Sequence, residues 1–486
     1  MSRKNKAQEI IENVAVSDVA DDGRAVGKAG DLVVFISHAV PGDVVDVRVT
    51  RKRKKYVETV PVCFRKYSDL RVEPVCSSFS VCGGCKWLDF DYRQQLLFKH
   101  KTVSDCLVRI GKLEIPAIAP VLPADPTLFY RNKLEFTFSS NRWLTEKEIQ
   151  SEGDITNRNA LGFHIPGMFD KVLNIDRCYL QPDPSNAIRT AIRDFALREN
   201  MPFYNLRNHQ GYLRTLVIRT SSMSGVMVIV CFQHEDAIMR EKLLNFVWKH
   251  VPEVSSLMYV INPKLNDSFA DLEVNLYKGK PYIMEEMDGL KFKIGPKSFY
   301  QTNSHQAYQL YKTVRDFAAL TGREIVYDLY TGIGTIANFL ARKAKKVIGV
   351  ECVSEAIEDA KHNSTINGIR NTFFYAGDAK DVFTIDFIQK HSTPDVLVLD
   401  PPRAGVHPKV IEALLLVMPP KVIYVSCNPS SQARDLALMQ KFYKITAVQP
   451  VDMFPHTHHV ENVVKLERRT NQDQFTIDFA EPSGAQ

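Results

Sequence analysis

The chain has no uninterrupted apolar run long enough to cross a bilayer. The basic residues in Met1–Glu9 are not followed by the apolar stretch that a secretory signal requires. A cytoplasmic protein without membrane attachment is the expectation. An obvious polyanion binder is also missing, because 62 Lys and Arg stand against 56 Asp and Glu, a formal net charge of +6. That excess is too mild to establish a nucleic-acid partner. Nine cysteines, an odd number, argue against a disulfide framework. No internal repeat and no low-complexity tract occurs. With 45% apolar and 24% charged residues over 486 positions, the balance is that of a globular protein of about two to four domains.

What is present is unevenly placed. Arg51-Lys52-Arg53-Lys54-Lys55 concentrates five positive charges near the N-terminus, equally readable as a solvated hairpin tip or as a phosphate contact. Around it, from Ile10 to Pro61, short β-rich runs alternate with glycine and Pro-Gly turns, which predicts a small β-barrel. A cysteine-rich loop follows from Glu73 to Trp87, then helical periodicity from Tyr92 to Ile110. Residues 121–295 mix strands and helices. From Glu324 the alternation becomes regular, with strands at Ile325–Leu329, Val347–Val350, Thr372–Tyr375, Val396–Leu399 and Val422–Val425 separated by helices. This predicts a doubly wound parallel sheet, closed by a β pair at Ile445–Val451 and Asn462–Leu466. The expected division is a barrel over 1–66, a central α+β domain over 67–295, an α/β domain over 296–470 and a frayed tail over 471–486. The helix at 92–110 is expected to be free to pack on the third of these.

Val326-Tyr-Asp328-Leu-Tyr330-Thr-Gly332-Ile-Gly334-Thr335 is a strand entering a tight glycine turn and then a helix. The third glycine of a dinucleotide fingerprint is missing, and so is any Lys-Ser/Thr phosphate loop. Glu351 ends the next strand, where a ribose-binding carboxylate belongs. Gly377-Asp378 and Asp400-Pro-Pro-Arg403 end the two after it. This pattern favours a cofactor that carries adenosine without phosphate, which S-adenosylmethionine fits best. Cys427 closes the strand Lys421-Val-Ile-Tyr-Val-Ser, at an end where open α/β sheets bind ligands. On its own, a cysteine there is more often inert packing than a nucleophile. Cys76-x5-Cys82-Gly-Gly-Cys85 gathers three thiols in one loop, and Cys178 is a remote fourth. The spacing leaves zinc open and lacks the C-x3-C-x2-C loop of radical enzymes.

Together, Ser298-Phe-Tyr-Gln301-Thr-Asn303, Asp328–Gly334, Leu399–Gly405, Val425–Pro429 and His459-Val-Glu461-Asn resemble the RNA (uracil-5)-methyltransferase family. Within it they resemble the iron–sulfur 23S rRNA enzymes of the RumA type. The resemblance implies a Rossmann-like class I methyltransferase domain behind an RNA-binding TRAM barrel. It assigns Gln301, Tyr330, Thr335, Glu351, Asp378 and Asp400, with Gly332 and Gly334, to the cofactor or uracil site. It also implies a [4Fe–4S] cluster on Cys76, Cys82, Cys85 and Cys178. Uracil C5 is a poor nucleophile until a thiolate adds at C6, so the chemistry needs a cysteine, charge stabilisation and a base. Cys427 takes the first role, Glu461 the last, and Asp400 and Arg403 flank them. A helix start and Arg403 are expected to lower the Cys427 pKa.

Arg403, in place of an aromatic after the two prolines, disfavours an amino-group substrate. The absence of a cysteine from that motif disfavours cytosine C5. His456, His458 and His459 read as substrate-site or packing residues rather than metal ligands, and Tyr56, Phe64 and Tyr67 as stacking or core residues. The expected partner is 23S rRNA, with no DNA, and the protein is expected to be a monomer. Two alternatives stand beside this: the same chemistry on tRNA or on several rRNA uridines, and a non-catalytic RNA-binding iron–sulfur protein.

Overall fold

The computed structural model of the protein describes residues 9–150 and 157–470. The tail 471–486 lies outside them. Five strands, β1 (Ile10–Val19), β2 (Ala25–Ala29), β3 (Leu32–Ile36), β4 (Val44–Lys52) and β5 (Tyr56–Lys66), close into a barrel in the order β1-β2-β3-β5-β4. Alternate residues such as Val14, Val34, Val45, Val47 and Val57 fill its interior. Arg51–Lys55 forms the β4–β5 hairpin end. There Lys52 pairs with Glu9 at 2.8 Å, and Arg51 faces Glu58 at 3.9 Å. Phe64 and Tyr67 stack at 4.8 Å over Arg71, with Tyr67 61% exposed, so this pair faces outward. Tyr56 instead meets Phe35 edge-on.

The cysteine loop leads into α1 (Tyr92–Asp105), capped by Asp91, whose last turn widens into a π-helical turn over Cys106–Ile110. An eight-stranded central sheet follows. It uses β6 (Lys133–Ser139), β7 (Arg142–Trp143), β8 (Ala160–Ile165) and β9 (Met168–Asn174), with the short α2 (Glu146–Gln150) after β7. After α3 (Ser185–Arg198) come β10 (Leu213–Thr220) and β11 (Val226–Phe232). Then α4 (Ala237–His250) precedes β12 (Ser256–Ile261) and β13 (Asn275–Gly279). One face of this sheet buries α3 and α4 through Ile188, Ile192, Leu243 and Val247. The other shares a core with the hairpin β14 (Ile283–Met287) and β15 (Leu290–Ile294) and with α5 (Ser304–Ala318).

The C-terminal third opens with β16 (Ile325–Leu329), α6 (Thr335–Ala341), β17 (Lys346–Glu351), α7 (Ser354–Ile366) and β18 (Thr372–Ala376). It continues through α8 (Ala379–Val382), α9 (Ile385–His391), β19 (Val396–Leu399), α10 (Pro408–Val417), β20 (Lys421–Ser426) and α11 (Pro429–Met439). The strands β21 (Tyr443–Val451) and β22 (Glu461–Arg468) end it. The sheet order is β18-β17-β16-β19-β20-β22-β21, parallel except where β22 pairs antiparallel with β20 and β21. The expected α/β fold is therefore borne out. Its strands are apolar on both faces, as a parallel sheet covered by helices requires. Val326, Val398 and Ile423 enter one core, while Tyr327, Leu397 and Tyr424 enter the other. That second core also takes Val103, Cys106 and Leu107 from α1 and its π turn. No helix among the described residues is long and apolar enough to cross a membrane.

One buried ion pair fastens α1 to the loop between β21 and β22. Lys99 Nζ donates to Asp452 Oδ1 at 2.5 Å, and both side chains are fully buried. Tyr92 Oη donates to Asp452 Oδ2 at 2.7 Å, and Lys99 also reaches the Phe454 carbonyl at 3.1 Å. Removing one partner of such a pair leaves an uncompensated charge in the interior. Lys99→Met is thus expected to lower stability by about 3–5 kcal/mol, and Lys99→Met with Asp452→Leu to recover most of the loss. Urea unfolding followed by the fluorescence of Trp87, whose ring lies 6.0 Å from Lys99 Nζ, reads both. A single variant as stable as the parent would show that the pair holds nothing in place.

Candidate active site

The sheet order places a switch point at β16, whose neighbours β17 and β19 carry the chain to opposite sides. Ligands bind in the crevice outside the carboxyl ends of such strands. At the end of β16 the chain turns sharply through Tyr330 (φ +69°), Gly332 (φ +56°) and Gly334 (φ +76°). A Cβ on Gly334 would come within 3.0 Å of Ala360 and Phe374, so glycine is needed there for packing as well as for conformation. A Cβ on Gly332 would meet nothing within 4 Å, which leaves an open approach beside the turn. The Gly332 amide donates to Glu351 Oε2 at 3.1 Å, while Glu351 Oε1 accepts from the Val353 amide and the Cys352 thiol. Thr335 begins α6. Asp378, at the end of β18, caps α8 and pairs with Lys380 at 2.5 Å. That lysine holds its carboxyl below the usual range. The structure thus brings Tyr330, Gly332, Gly334, Thr335, Glu351 and Asp378 to one edge of the sheet.

The other half of the site lies one strand over. Antiparallel pairing sets Ser426 opposite Asn462, so Cys427, just past β20, and Glu461, the first residue of β22, emerge side by side. Asn428 caps α11 and its side-chain amide holds the Arg403 carbonyl at 3.0 Å. Glu461 is 6% exposed, which removes the alternative of a solvated edge residue. Its carboxyl is pushed up to about 8 by burial and by Asp400, against Arg403. Asp400 is itself pushed up to about 7 by burial. Cys427 is not lowered as the sequence predicts. Burial, Glu461 and Asp400 outweigh Arg403 and push the thiol up to about 11. Gln301 is buried ahead of α5, its carbonyl accepting from Asn132 at 2.9 Å.

Two further residues belong here. Tyr311 on α5 is buried beside Thr335, Asp328, Asp400 and Glu461. It sits in an ordinary amphipathic helix, so no motif marks it. Asp328 lies inside the cofactor-loop motif. Its Oδ2 accepts from Thr331 at 2.5 Å, and burial pushes it up to about 7. The histidines are held neutral by burial, His456 down to about 4, His458 to about 3 and His459 to about 4.

The four cysteines of the proposed cluster come together from two segments. Cys178 folds back beside Cys85 in one core, and Cys76, Cys82, Cys85 and Cys178 lie within electrostatic reach of one another. Burial first, then the neighbouring thiols, pushes Cys82 up to about 11 and Cys85 to about 12. The Gly84 amide points at Cys82 Sγ at 3.4 Å. Four soft thiols fit an iron–sulfur or zinc centre as a donor set. As arranged, no three His, Cys, Asp or Glu side chains among the described residues converge closely enough to hold a metal ion. Cys63 is exposed on the barrel, apart from them.

A family model described as tRNA (Uracil-5-)-methyltransferase matches residues 280–469, and a TRAM domain model matches residues 11–62. An uncharacterized RNA methyltransferase of Bacteroides thetaiotaomicron is 56% identical over 454 residues, spanning 93% of this chain and 100% of its own. One from Porphyromonas gingivalis is 54% identical over 462 residues, spanning 94% and 99%. Among solved structures, the tRNA (uracil-54, C5)-methyltransferase of Pyrococcus abyssi, in complex with S-adenosyl-L-homocysteine, superposes with a TM-score of 0.72 at 27% identity. That match covers 93% of this chain and 99% of the other.

The raised carboxyls carry a stability signature with a definite sign. A carboxyl whose folded pKa lies above its unfolded value, as for Glu461 at about 8 against 4.5, favours the folded state only while protonated. Its contribution is lost as pH rises from the unfolded toward the folded value. Glu461→Gln mimics the protonated form. It is therefore expected to raise stability at pH 9 by on the order of a few kcal/mol, with the gain gone by pH 4. Thermal melts of both proteins across that range check it. A gain that is the same at both ends would mean Glu461 is not destabilised by ionisation.

Proposed function

This chain belongs to the RNA (uracil-5)-methyltransferase family, and we propose that it methylates C5 of a uridine in 23S rRNA through a covalent bond from Cys427 to C6. The observation that carries this reading is the β20–β22 pairing, which sets a thiol and a buried carboxylate at one crevice beside the cofactor loop. In this reading the Cys427 thiolate adds to C6, and electron density moves through C5 to the ring carbonyl. S-adenosylmethionine, when bound, supplies a methyl group on a cationic sulfonium. Tyr330, Gly332, Glu351 and Asp378 would hold its adenosine end, and Gln301, Thr335 and Asp400 would face the reacting end. A cation there would favour the ionised forms of Glu461 and Cys427, which burial and the neighbouring carboxyls suppress. Once C5 carries the methyl group, Glu461 takes H5 and the Cys427 sulfur leaves C6, restoring the ring. Arg403, whose charge lowers the Cys427 pKa, would steady the thiolate. The target base must leave its stack to reach this edge.

The choice of 23S rRNA rests on the barrel and the cysteine loop occurring together. A second reading, a tRNA uridine, is favoured by the Pyrococcus abyssi tRNA enzyme, because the match covers nearly all of both chains. We further propose that Cys76, Cys82, Cys85 and Cys178 hold a [4Fe–4S] cluster that braces the loop, since four cysteines gathered from two segments are a soft donor set, and the positive cluster core would offset the repulsion between their thiolate forms.

With 5-fluorouridine at the target, addition and methyl transfer proceed, but fluorine cannot leave as a proton does. A covalent protein–RNA complex is expected that needs both Cys427 and S-adenosylmethionine, and none from Cys427→Ala. Methylation by Cys427→Ala would remove the nucleophile assignment. Mass-spectrometric mapping of 5-methyluridine in cells with and without the gene then decides the substrate. Loss from 23S rRNA supports the first reading, and loss from tRNA alone replaces it with the second.

Protein purified without oxygen is expected to be brown, with about four irons per chain, and to lose them in Cys82→Ser but not in Cys63→Ser. Stoichiometric zinc in colourless protein would replace the cluster with a zinc site.

A further inference from the structure

The loop from Asp452 to Val460 delivers Glu461 to the sheet, and residues from some 350 positions earlier hold it. Lys99 and Tyr92 hold Asp452. His456, in the left-handed region at φ +61°, is clamped by a ring of hydrogen bonds. Its carbonyl accepts from the amides of Lys86 and Trp87, both at 3.0 Å, and its own amide donates to Gln95 Oε1 at 3.0 Å. Gln95 Nε2 closes the ring on the Trp87 carbonyl at 2.9 Å and also reaches the Phe90 carbonyl at 2.7 Å. Gln95 is fully buried. A non-glycine residue adopts this conformation only where its surroundings over-determine it, and here the ring does so.

The same ring reaches the barrel. Trp87 Nε1 donates to the Gly23 carbonyl at 3.0 Å, and Lys86 Nζ to that of Asp22 at 2.8 Å. Gly23 lies so close to His458 that a Cβ on it would come within 2.8 Å of the His458 Cβ. The β1–β2 turn, the exit of the cysteine loop just after Cys85, α1 and the hairpin loop therefore meet at one joint. From His456 only Thr457–Val460 separate that joint from Glu461, and Val460 is itself buried.

We infer that Gln95 and Trp87 are positioning residues for Glu461, and that through them the barrel and the cysteine loop govern proton abstraction. The inference rests on Glu461 being the base. A carboxylate takes a proton only from within hydrogen-bond reach, and a displacement of about 1 Å costs on the order of a hundredfold in rate. Thiol addition and methyl transfer depend on Cys427 and the cofactor loop, which β20, α11 and β16 hold without this ring. Loosening the ring therefore slows the last half of the reaction alone. Methylated RNA bound covalently to Cys427 accumulates.

The test uses the full chain, bulk RNA from cells lacking the gene, labelled S-adenosylmethionine and a denaturing gel. Gln95→Leu is expected to cut kcat by roughly tenfold to a hundredfold, with most of the enzyme trapped as covalent complex and kcat/KM for RNA little changed, so that KM falls along with kcat. Gln95→Glu keeps the acceptor for the His456 amide. Protonated in its buried site, it keeps one donor, and it should restore turnover and abolish the trapped complex. Trp87→Phe, which loses the bond to Gly23 and some ring volume packed beside Phe90 and Lys99 but leaves the backbone bonds of the ring in place, should trap a smaller fraction and carries the test if Gln95→Leu does not fold. A fall in kcat without trapped complex, or a rise in KM alone, overturns the inference. Glu461→Gln runs alongside. If it traps complex and neither Gln95→Leu nor Trp87→Phe does, only the positioning role fails. If Glu461→Gln traps none, the base assignment fails and takes the positioning role with it.

Discussion

The antiparallel pairing of β22 on β20 is the constraint on which the site depends. A strand's side chains alternate between faces, so a slip of one residue would turn Glu461 away from Cys427 and send its apolar neighbours to the wrong core. The register is locked by Gln432 in α11. Its Nε2 donates to the Tyr424 carbonyl on β20 at 3.0 Å and to the Asn462 carbonyl on β22 at 3.2 Å, and its Oε1 accepts from Asn462 Nδ2 at 2.7 Å. Gln432 is fully buried. The helix that starts immediately after Cys427 therefore also fixes the strand that carries Glu461. Thiol and lock form one unit that reaches Asn462, and Glu461, one residue earlier, is held on its other side by the loop that the Gln95–Trp87 ring clamps.

What that unit holds is electrostatically unfavourable in the ligand-free protein. Asp328, Asp400 and Glu461 are all pushed up by burial, and Asp400 and Glu461 also push up Cys427. One arginine, Arg403, opposes them. Groups whose pKa values are displaced in this way cluster where chemistry is done, because the displacement is removed when a complementary charge arrives. In the proposed mechanism a cationic methyl donor would be such a charge for the thiol; on methyl transfer the sulfonium becomes a neutral thioether, so proton removal by Glu461 would take place without it. The cost falls on fold stability.

Much of this was legible in the sequence, and what was not has a common cause. The strands at Ile325–Leu329 and Val396–Leu399 coincide with those observed, because buried parallel strands are continuous β-branched runs bounded by turn residues. The glycine turn and the strand-end acids were readable for the same reason, since each is local. Gln95, Lys99 and Tyr311 gave no signal. Their partners lie hundreds of residues away or on another element, and nothing in a helix such as Tyr92–Asp105 distinguishes a clamp from a packed polar residue. The direction of the Cys427 shift was misread on similar grounds. Arg403 and the helix start are neighbours in an obvious motif, whereas the Glu461 carboxylate opposing them arrives through strand pairing. The widening of α1 into a π turn at Cys106 also has no local cause in the sequence; it lies where the helix packs against α11, with Cys106 Sγ 3.3 Å from Ser430 Oγ.

The histidines at the joint bear on how binding and chemistry respond to pH. The rings of His458 and His459 lie tilted against each other, 4.0 Å apart, with Lys86 near both, Asp22 beside the first, and Arg403 and Arg131 beside the second. Burial and these cations keep both rings neutral well below physiological pH. The positive charge along this rim therefore comes from lysine and arginine and not from the histidines. Asp400 and Glu461, at about 7 and about 8, titrate close to neutrality. In the proposed reading, sensitivity to pH near neutrality would thus arise at the carboxyls beside Cys427, while the histidines of the joint would contribute none.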